Sequence, residues 1–162
     1  MAFDAFLKVD GIPGESKDDR YKNWIEIKTF AHGVDQPVSR TVSSAGGATA
    51  ERADFEPVTI TKEVDISSPK LWEASYTGKH IKEVIIELCR AGGNKEKYLE
   101  IRMENVLVSN FRQGSGGEFP VEHVSFAPGK ITMTYNQQKR EDGMGGGCVA
   151  AGWDLQTNKT CY

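Results

Sequence analysis

The stretch that decides the fold reads DISSPKLWEASYTGKH and covers residues 65–80. It carries the clearest helix signal in the chain. Ser68 is a favoured N-cap residue, Pro69 suits the first position of a helix, and Gly78 can adopt the left-handed conformation that ends one. We therefore predict one helix over about residues 69–77.

This helix is predicted to be amphipathic, because its apolar residues recur at helical spacing. A helix of about ten residues does not persist alone in water, so tertiary packing must hold it. We expect a β-sheet to provide the packing surface. Four side chains of the helix are predicted to lie in the core: Leu71, Trp72, Ala74 and Tyr76.

Apolar and polar residues alternate with a period of two along most of the remaining chain, which is the pattern of strands with one buried face. The alternation is clearest in residues 3–9, 82–90 and 131–135. About eight such strands are separated by turns rich in glycine, proline and asparagine, without an internal repeat. This order of elements is typical of a mainly β fold, a β-sandwich or small β-barrel, with one flanking α-helix.

The length of the chain fits one domain, so we assign residues 1–162 to a single unit. Residues 39–52 show no apolar period and are predicted to be an extended loop. They form either a surface loop or an arm that orders against a neighbouring subunit. The alternation also changes phase between Met103 and Val106, which predicts a β-bulge near residues 104–105.

Two features suggest that some strands contact other subunits. Residues 24–32 are predicted to form one strand, with Ile25, Ile27, Thr29 and Ala31 on one face. Trp24 and Phe30 place bulky side chains on its other face. Ile85 likewise lies on the outward face of its predicted strand. Because obligate interfaces bury apolar surface, and pairing between copies protects sheet edges, these features favour self-assembly.

The composition excludes several classes of function. The net charge is −3, so the chain lacks the basic character of proteins that bind nucleic acid or anionic membranes. Hydrophobic residues make up 38% of the chain. They form no uninterrupted run of about 20 residues, so we expect no membrane insertion. The N-terminus shows no secretory signal, which predicts synthesis in the cytoplasm without a cleaved leader.

No catalytic or metal-binding pattern is evident in the sequence. Cys89 is predicted to be a packed thiol, and Cys148 and Cys161 are expected to be reduced, with a disulfide after export as the alternative. Three histidines lack the spacing of metal ligands: His32, His80 and His123. We therefore predict neither an enzyme nor a cofactor.

Several sequence blocks occur together in a characteristic order: Met1–Lys8, Gly11–Ser16, Thr61–Asp65, Ser68–Leu71, Gly78–His80, Arg90–Gly93, Glu104–Ser109, Gly114–Gly117 and Gly152–Asp154. Through these blocks the chain resembles the haemolysin-coregulated protein (Hcp) family, the tube-forming proteins of the bacterial type VI secretion system. The resemblance covers nearly the whole chain.

The resemblance implies a hexameric ring that stacks into the inner tube of a contractile, phage-tail-like injector. The implied partners are other copies of the chain, the spike protein, the contractile sheath and small effectors in the lumen. It also implies secretion from the bacterial cytoplasm. Ala31 would line the channel. The candidate ring or stacking contacts, including those suggested by the strands, are Gly11, Ser16, Trp24, Phe30, Val42, Ser43, Ser44 and Ile85.

Two other functions remain open from the residues. A monomeric secreted β-sandwich that binds a small ligand would need clustered exposed aromatic residues or acidic calcium loops, and the sequence shows neither. A phage tail-tube protein would share the architecture, although the helix signature is against it. The mass of the particle in solution separates the monomeric module from the two tube proteins.

Overall fold

A computed structural model describes residues 3–38, 51–92, 95–138 and 145–162 of the chain. This described part contains twelve strands and one helix. In chain order they are β1 (Phe3–Val9), β2 (Ile25–Ile27), β3 (Thr29–Ala31), β4 (Val34–Asp35), β5 (Asp54–Phe55), β6 (Val58–Glu63), α1 (Ser68–Thr77), β7 (Ile81–Arg90), β8 (Lys97–Ser115), β9 (Pro120–Ala127), β10 (Lys130–Gln138), β11 (Gly145–Asp154) and β12 (Lys159–Thr160). The mainly β fold with one short helix is confirmed. The predicted number of about eight strands is too low, because several strands contain only two or three residues.

Two antiparallel sheets share the long strand β8. Sheet A has the order β12-β11-β10-β8-β7-β1-β2, and sheet B has the order β3-β6-β9-β8. The first half of β8 pairs with β7 and β10, and its second half, from Leu107 onward, pairs with β9. Strands β4 and β5 form a separate two-stranded ribbon. Because β8 belongs to both sheets, it joins them around the core.

The change of sheet within β8 occurs at Asn105, whose φ of 51° lies in the left-handed region. Ile101 and Met103 are buried before this residue, and Val106 and Val108 are buried after it. The phase change in the sequence therefore marks a real irregularity. The predicted β-bulge is nevertheless wrong, since the pairing of β7 with β8 keeps the same register on both sides of Asn105.

The prediction of one strand over residues 24–32 is also wrong. This segment consists of β2 in sheet A and β3 in sheet B, with Lys28 between them. Ile25 and Ile27 face the core from β2, whereas Phe30 packs against it from β3. The change of sheet by itself explains why both faces of the segment carry bulky side chains.

Helix α1 packs into the core through one narrow stripe. Leu71 and Ala74 are buried in the same cluster as the inward side chains of both sheets. Trp72 and Tyr76 are 58% and 65% exposed, so the prediction that they pack in the core is wrong. Their rings instead contact each other edge to face, with centroids 5.4 Å apart. Successive helical positions are turned by about 100°, which carries Trp72 away from the face that holds Leu71.

The start of the helix differs from the predicted cap. The helix begins at Ser68, and no side chain caps its first turn. The Ser68 hydroxyl instead accepts hydrogen bonds from the Asp65 N–H at 3.0 Å and from the Lys62 ammonium at 3.1 Å. Both donors precede the helix, so the hydroxyl does not cap the backbone of the first turn. The end of the helix is as predicted, because Gly78 adopts a φ of 65° that favours glycine.

Candidate assembly surfaces

The outward face of sheet B presents mainly small, uncharged side chains in register, with the exposed Arg112 opposite His123 at its β8 edge. One cross-strand row contains Ala31, Thr59 and Ser125, and the hydroxyls of Thr59 and Ser125 are hydrogen-bonded at 2.9 Å. In the next row the Thr61 hydroxyl contacts His123 Nδ1 at 3.1 Å. Hydroxyl groups on a half-exposed sheet keep water in contact with the surface. This face therefore suits the wall of a water-filled channel better than a dry protein contact.

Sheet B has two open edges among the strands that the structure describes. Strand β3 pairs only with β6, and the second half of β8 pairs only with β9. Each edge leaves a row of backbone N–H and C=O groups without a strand partner. Such edges can be satisfied by a second copy of the same protein.

An apolar groove lies where the core face of sheet A continues beyond sheet B. The register aligns buried Ile101 with Met133 and Ala151, so the apolar face extends from β8 across β10 to β11. Met133, Tyr135 and Val149 are exposed on this extension. The opposite wall is formed by residues 32–34 and 55–56, and the groove encloses about 510 Å³.

A second apolar surface lies along the exposed side of α1 and the segment just before the helix. Four of its side chains are exposed, namely Val64, Ile66, Trp72 and Tyr76, and we call this surface the helix patch. Phe111 of β8 lies beside it and is partly buried. Contiguous exposed apolar surface of this kind marks sites of protein contact on soluble proteins.

A fully buried ion pair lies beneath the helix patch. The Lys62 ammonium contacts the Glu122 carboxylate at 2.8 Å and the Asp65 carboxylate at 2.9 Å, and it donates to the Glu63 carbonyl at 2.8 Å. Gln113 donates to the second Glu122 oxygen at 2.8 Å. The cluster joins β6, β8, β9 and the start of α1, and it fixes the helix relative to sheet B.

Sequence reasoning missed this ion pair, although a signal was present. Lys62 is in phase with Val58 and Ile60 on β6, and Glu122 is in phase with Val124 on β9. Strict alternation thus places both charges on the buried faces of neighbouring strands. Two opposite charges at inward positions predict a buried pair, because an unpaired buried charge is very costly.

Cys89 belongs to a small second core under the loop between β1 and β2. Its sulfur lies 2.9 Å from the Tyr21 hydroxyl, and the Tyr21 ring stacks on Phe6 at 4.2 Å. Burial raises the pKa of the Cys89 thiol and also raises the pKa of Tyr21 well above its ordinary value. A protonated, buried thiol is a poor nucleophile, which agrees with the prediction of a packed side chain.

The prediction that Ser16 and Ile85 contact other subunits is wrong. Ser16 is 4% exposed, and its hydroxyl accepts the Asp18 N–H within its own loop. Ile85 is 6% exposed, because Lys8 and Arg102 lie directly opposite on the neighbouring strands and cover it with their aliphatic stems. Neither side chain can reach another subunit.

The other predicted contact residues remain candidates or lie outside the described part. Gly11 is exposed with a φ of 79°, Trp24 and Phe30 are partly buried, and Ala31 is exposed. Three residues lie outside the described ranges: Val42, Ser43 and Ser44.

The described residues show neither a metal cluster nor a membrane span. No three of their His, Cys, Asp and Glu side chains could hold a metal ion. None of the described helical residues forms a segment long and apolar enough to cross a bilayer.

The two C-terminal cysteines are too far apart for a disulfide within one chain. Both are free thiols. The Cys161 N–H bonds to the Gly152 carbonyl at 3.0 Å, and Cys148 lies four residues away along β11. That separation is about 13 Å, whereas a disulfide requires α-carbons within about 7 Å.

Comparison with known proteins agrees with this architecture. Residues 6–135 match the family described as "Type VI secretion system effector, Hcp". Protein hcp1 of Pseudomonas aeruginosa is 34% identical over 161 residues, which cover 98% of each chain. The solved structure of a type six secretion system protein superposes with a TM-score of 0.91 at 31% identity, covering 99% of this chain and 100% of the other. That of Hcp1 from Salmonella typhimurium superposes with a TM-score of 0.81 at 27% identity over 99% and 100%. The chain belongs to the Hcp family of type VI secretion proteins.

Proposed function

We propose that this chain is a tube subunit of a type VI secretion system, which assembles into hexameric rings that stack into a hollow tube. The observation that carries the proposal is the outward face of sheet B, where hydroxyl side chains flank Ala31 between two open strand edges. Family membership over nearly the full length of the chain supports it.

The two open edges suit a head-to-tail contact. They belong to β3 and to the second half of β8, the outermost strands of sheet B. A contact between unlike edges of identical copies generates a closed ring when the rotation closes. The hydroxyl-lined face of each copy then forms part of the channel wall, with Ala31 toward the lumen.

The work of such a subunit is mechanical. Small effectors travel in the lumen, the spike protein caps the tube, and the contractile sheath surrounds and propels it. The chain is made in the bacterial cytoplasm and leaves the cell through this apparatus.

Electron microscopy and native mass spectrometry of the purified chain test the proposal. We expect six-fold annuli and a particle of six copies of the 17.9 kDa chain. A particle that stays monomeric at high concentration and melts at a higher temperature with a small ligand would contradict the tube and favour the ligand-binding module.

Thiol labelling tests the position of Ala31. Both variants of this test are made in a Cys148→Ser/Cys161→Ser background, because these two native thiols are free and accessible. In assembled rings, the Ala31→Cys variant should react with a small maleimide but only incompletely with a bulky polyethylene-glycol maleimide, because the first adduct obstructs the shared channel. The matched control is Lys22→Cys on an exposed loop, which should react completely with both reagents. Complete bulky labelling of Ala31→Cys in intact rings would place this residue on the outside.

A further inference from the structure

The apolar groove and the helix patch lie at opposite ends of sheet B. The groove adjoins the end where Val58 pairs with Phe126, and the helix patch adjoins the end where Glu63 pairs with Val121. Five residue steps of β6 separate these two pairs, a distance of about 17 Å. The groove also lies beside β3, through residues 32–34, and the helix patch lies beside the second half of β8, through Phe111, so each open edge of sheet B adjoins one of the two apolar surfaces.

Charges of opposite sign flank the two surfaces. Beside the groove, the ribbon of β4 and β5 and its neighbours carry four carboxylates, from Asp35, Glu51, Asp54 and Glu56, and one guanidinium, from Arg52. Two exposed lysines, Lys79 and Lys82, follow the helix, and one carboxylate, from Glu15, accepts the Ile66 N–H on the other side of the helix patch. Within the described part of the chain, none of these four carboxylates or two lysines forms an ion pair.

From this arrangement we infer that the groove of one subunit receives the helix patch of the next subunit in the ring, with the acidic ribbon against Lys79 and Lys82. The inference rests on the proposed ring. A head-to-tail ring requires two different, mutually complementary surfaces on every subunit. The chain meets this requirement in both apolar character and charge.

The chemistry of the two surfaces also fits a stable contact. Stable interfaces have an apolar centre and a polar rim, and Trp and Tyr are their commonest anchors. Trp72 and Tyr76 provide two aromatic rings already held against each other, so little side-chain freedom is lost on binding. The groove offers Met133, Tyr135 and Val149 as their counterpart.

Charge reversal tests the pairing without touching the core. Variant one is Lys79→Glu/Lys82→Glu, and variant two is Asp54→Lys/Glu56→Lys. Each variant alone brings like charges together at every contact of the ring, so the concentration needed for ring formation should rise at least about tenfold at low salt. The effect should diminish at high salt, because screening weakens exposed charges.

An equimolar mixture of the two variants is the decisive measurement. The reversed helix patch of variant one can bind the reversed groove of variant two, because their charges are again opposite. The unchanged helix patch of variant two can bind the unchanged groove of variant one. A six-membered ring can alternate the two chains, so native mass spectrometry should show rings with three copies of each. Lys22→Glu, a reversal on an exposed loop outside both surfaces, should form rings as the wild type does.

The aromatic anchors are tested separately. Trp72→Ala/Tyr76→Ala should raise the concentration needed for ring formation at every salt concentration, since the lost contact is apolar. Phe3→Ala, at an exposed aromatic residue on β1, is the control and should leave assembly unchanged.

The failure of this inference differs from the failure of the proposed function. If the wild-type chain forms no rings, the proposed function is wrong. If the wild type forms rings and either reversed variant forms them equally well, or the mixture does not recover them, the groove does not hold the helix patch. Intact rings that fail only to stack would also overturn the inference, because the two surfaces would then meet between rings.

Discussion

Replacing Lys62 with alanine is expected to lower the free energy of unfolding by about 3–5 kcal/mol, because it leaves a fully buried carboxylate without its cation. Glu122 is completely buried, and Asp65 is largely buried beside it. Since domains of this size are stable by about 5–15 kcal/mol, such a loss approaches the limit of folding.

The control for this prediction is Lys28→Ala. Lys28 also pairs with a glutamate at 2.8 Å, but its side chain is about half exposed, as is that of its partner Glu63. Exposed pairs contribute about 0–1 kcal/mol. Urea unfolding of both variants at one fixed protein concentration, so that assembly affects them equally, measures the difference. If both variants lowered the free energy of unfolding by the same small amount, the Lys62 ammonium would not be shielded from water.

A double replacement separates the cost of a broken pair from the value of the pair itself. Lys62→Met/Glu122→Leu removes both charges and keeps apolar volume at both positions. Replacing a buried pair by apolar residues of similar size is often nearly neutral. The double variant should therefore unfold at a higher urea concentration than Lys62→Ala. A double variant less stable than the single one would show that the ion pair itself stabilises the fold.

Local patterns in the sequence were sufficient to predict the helix and the longer strands of this fold. Alternation identified the strands because each of them has one face on the core, and the inward positions Val58 and Ile60 are buried as the pattern requires. Gly78 ended the helix because the left-handed conformation is a property of the residue itself. These predictions depended only on interactions close along the chain.

The predictions that failed depended on competing contacts, one of them local and the others between distant parts of the chain. Ser68 does not cap its helix, because Lys62 and the Asp65 N–H use its hydroxyl. Ile85 is buried by side chains on two other strands, which no spacing around residue 85 can indicate. Residues 24–32 change sheet in the middle, so one alternation cannot describe them. The register of distant strands decided the last two outcomes, whereas the Ser68 hydroxyl is used by groups only six and three residues away.

The assembly surfaces were predicted least well, for a related reason. The apolar groove exists because β10 and β11 extend sheet A past the edge of sheet B. From sequence alone, Met133 and Tyr135 look like core residues of an ordinary strand. Whether such a face meets the core or solvent depends on how far the opposing sheet reaches. The exposure of apolar side chains on a strand whose pattern predicts burial is thus a feature that only the three-dimensional structure reveals.

Replacing Leu71 with aspartate is expected to abolish stable folding, whereas the same change at the adjacent Trp72 should preserve it. Leu71 is completely buried against both sheets, so the variant loses the packing of a leucine, about 2–5 kcal/mol, and buries a carboxylate without a partner as well. Trp72 projects into solvent, where a carboxylate stays hydrated. The pair of variants compares two neighbouring apolar residues of one helix that differ in burial.

Circular dichroism melting at a protein concentration where the wild type is monomeric measures the stability of the subunit without a contribution from the ring. Under these conditions Leu71→Asp should show no cooperative transition, and Trp72→Asp should melt close to the wild type. If both variants melt normally, α1 does not pack on the sheets. If both unfold, Trp72 is also part of the subunit core and cannot anchor a neighbouring subunit. The same two measurements therefore decide whether the outward aromatic residues of the helix are free to serve assembly.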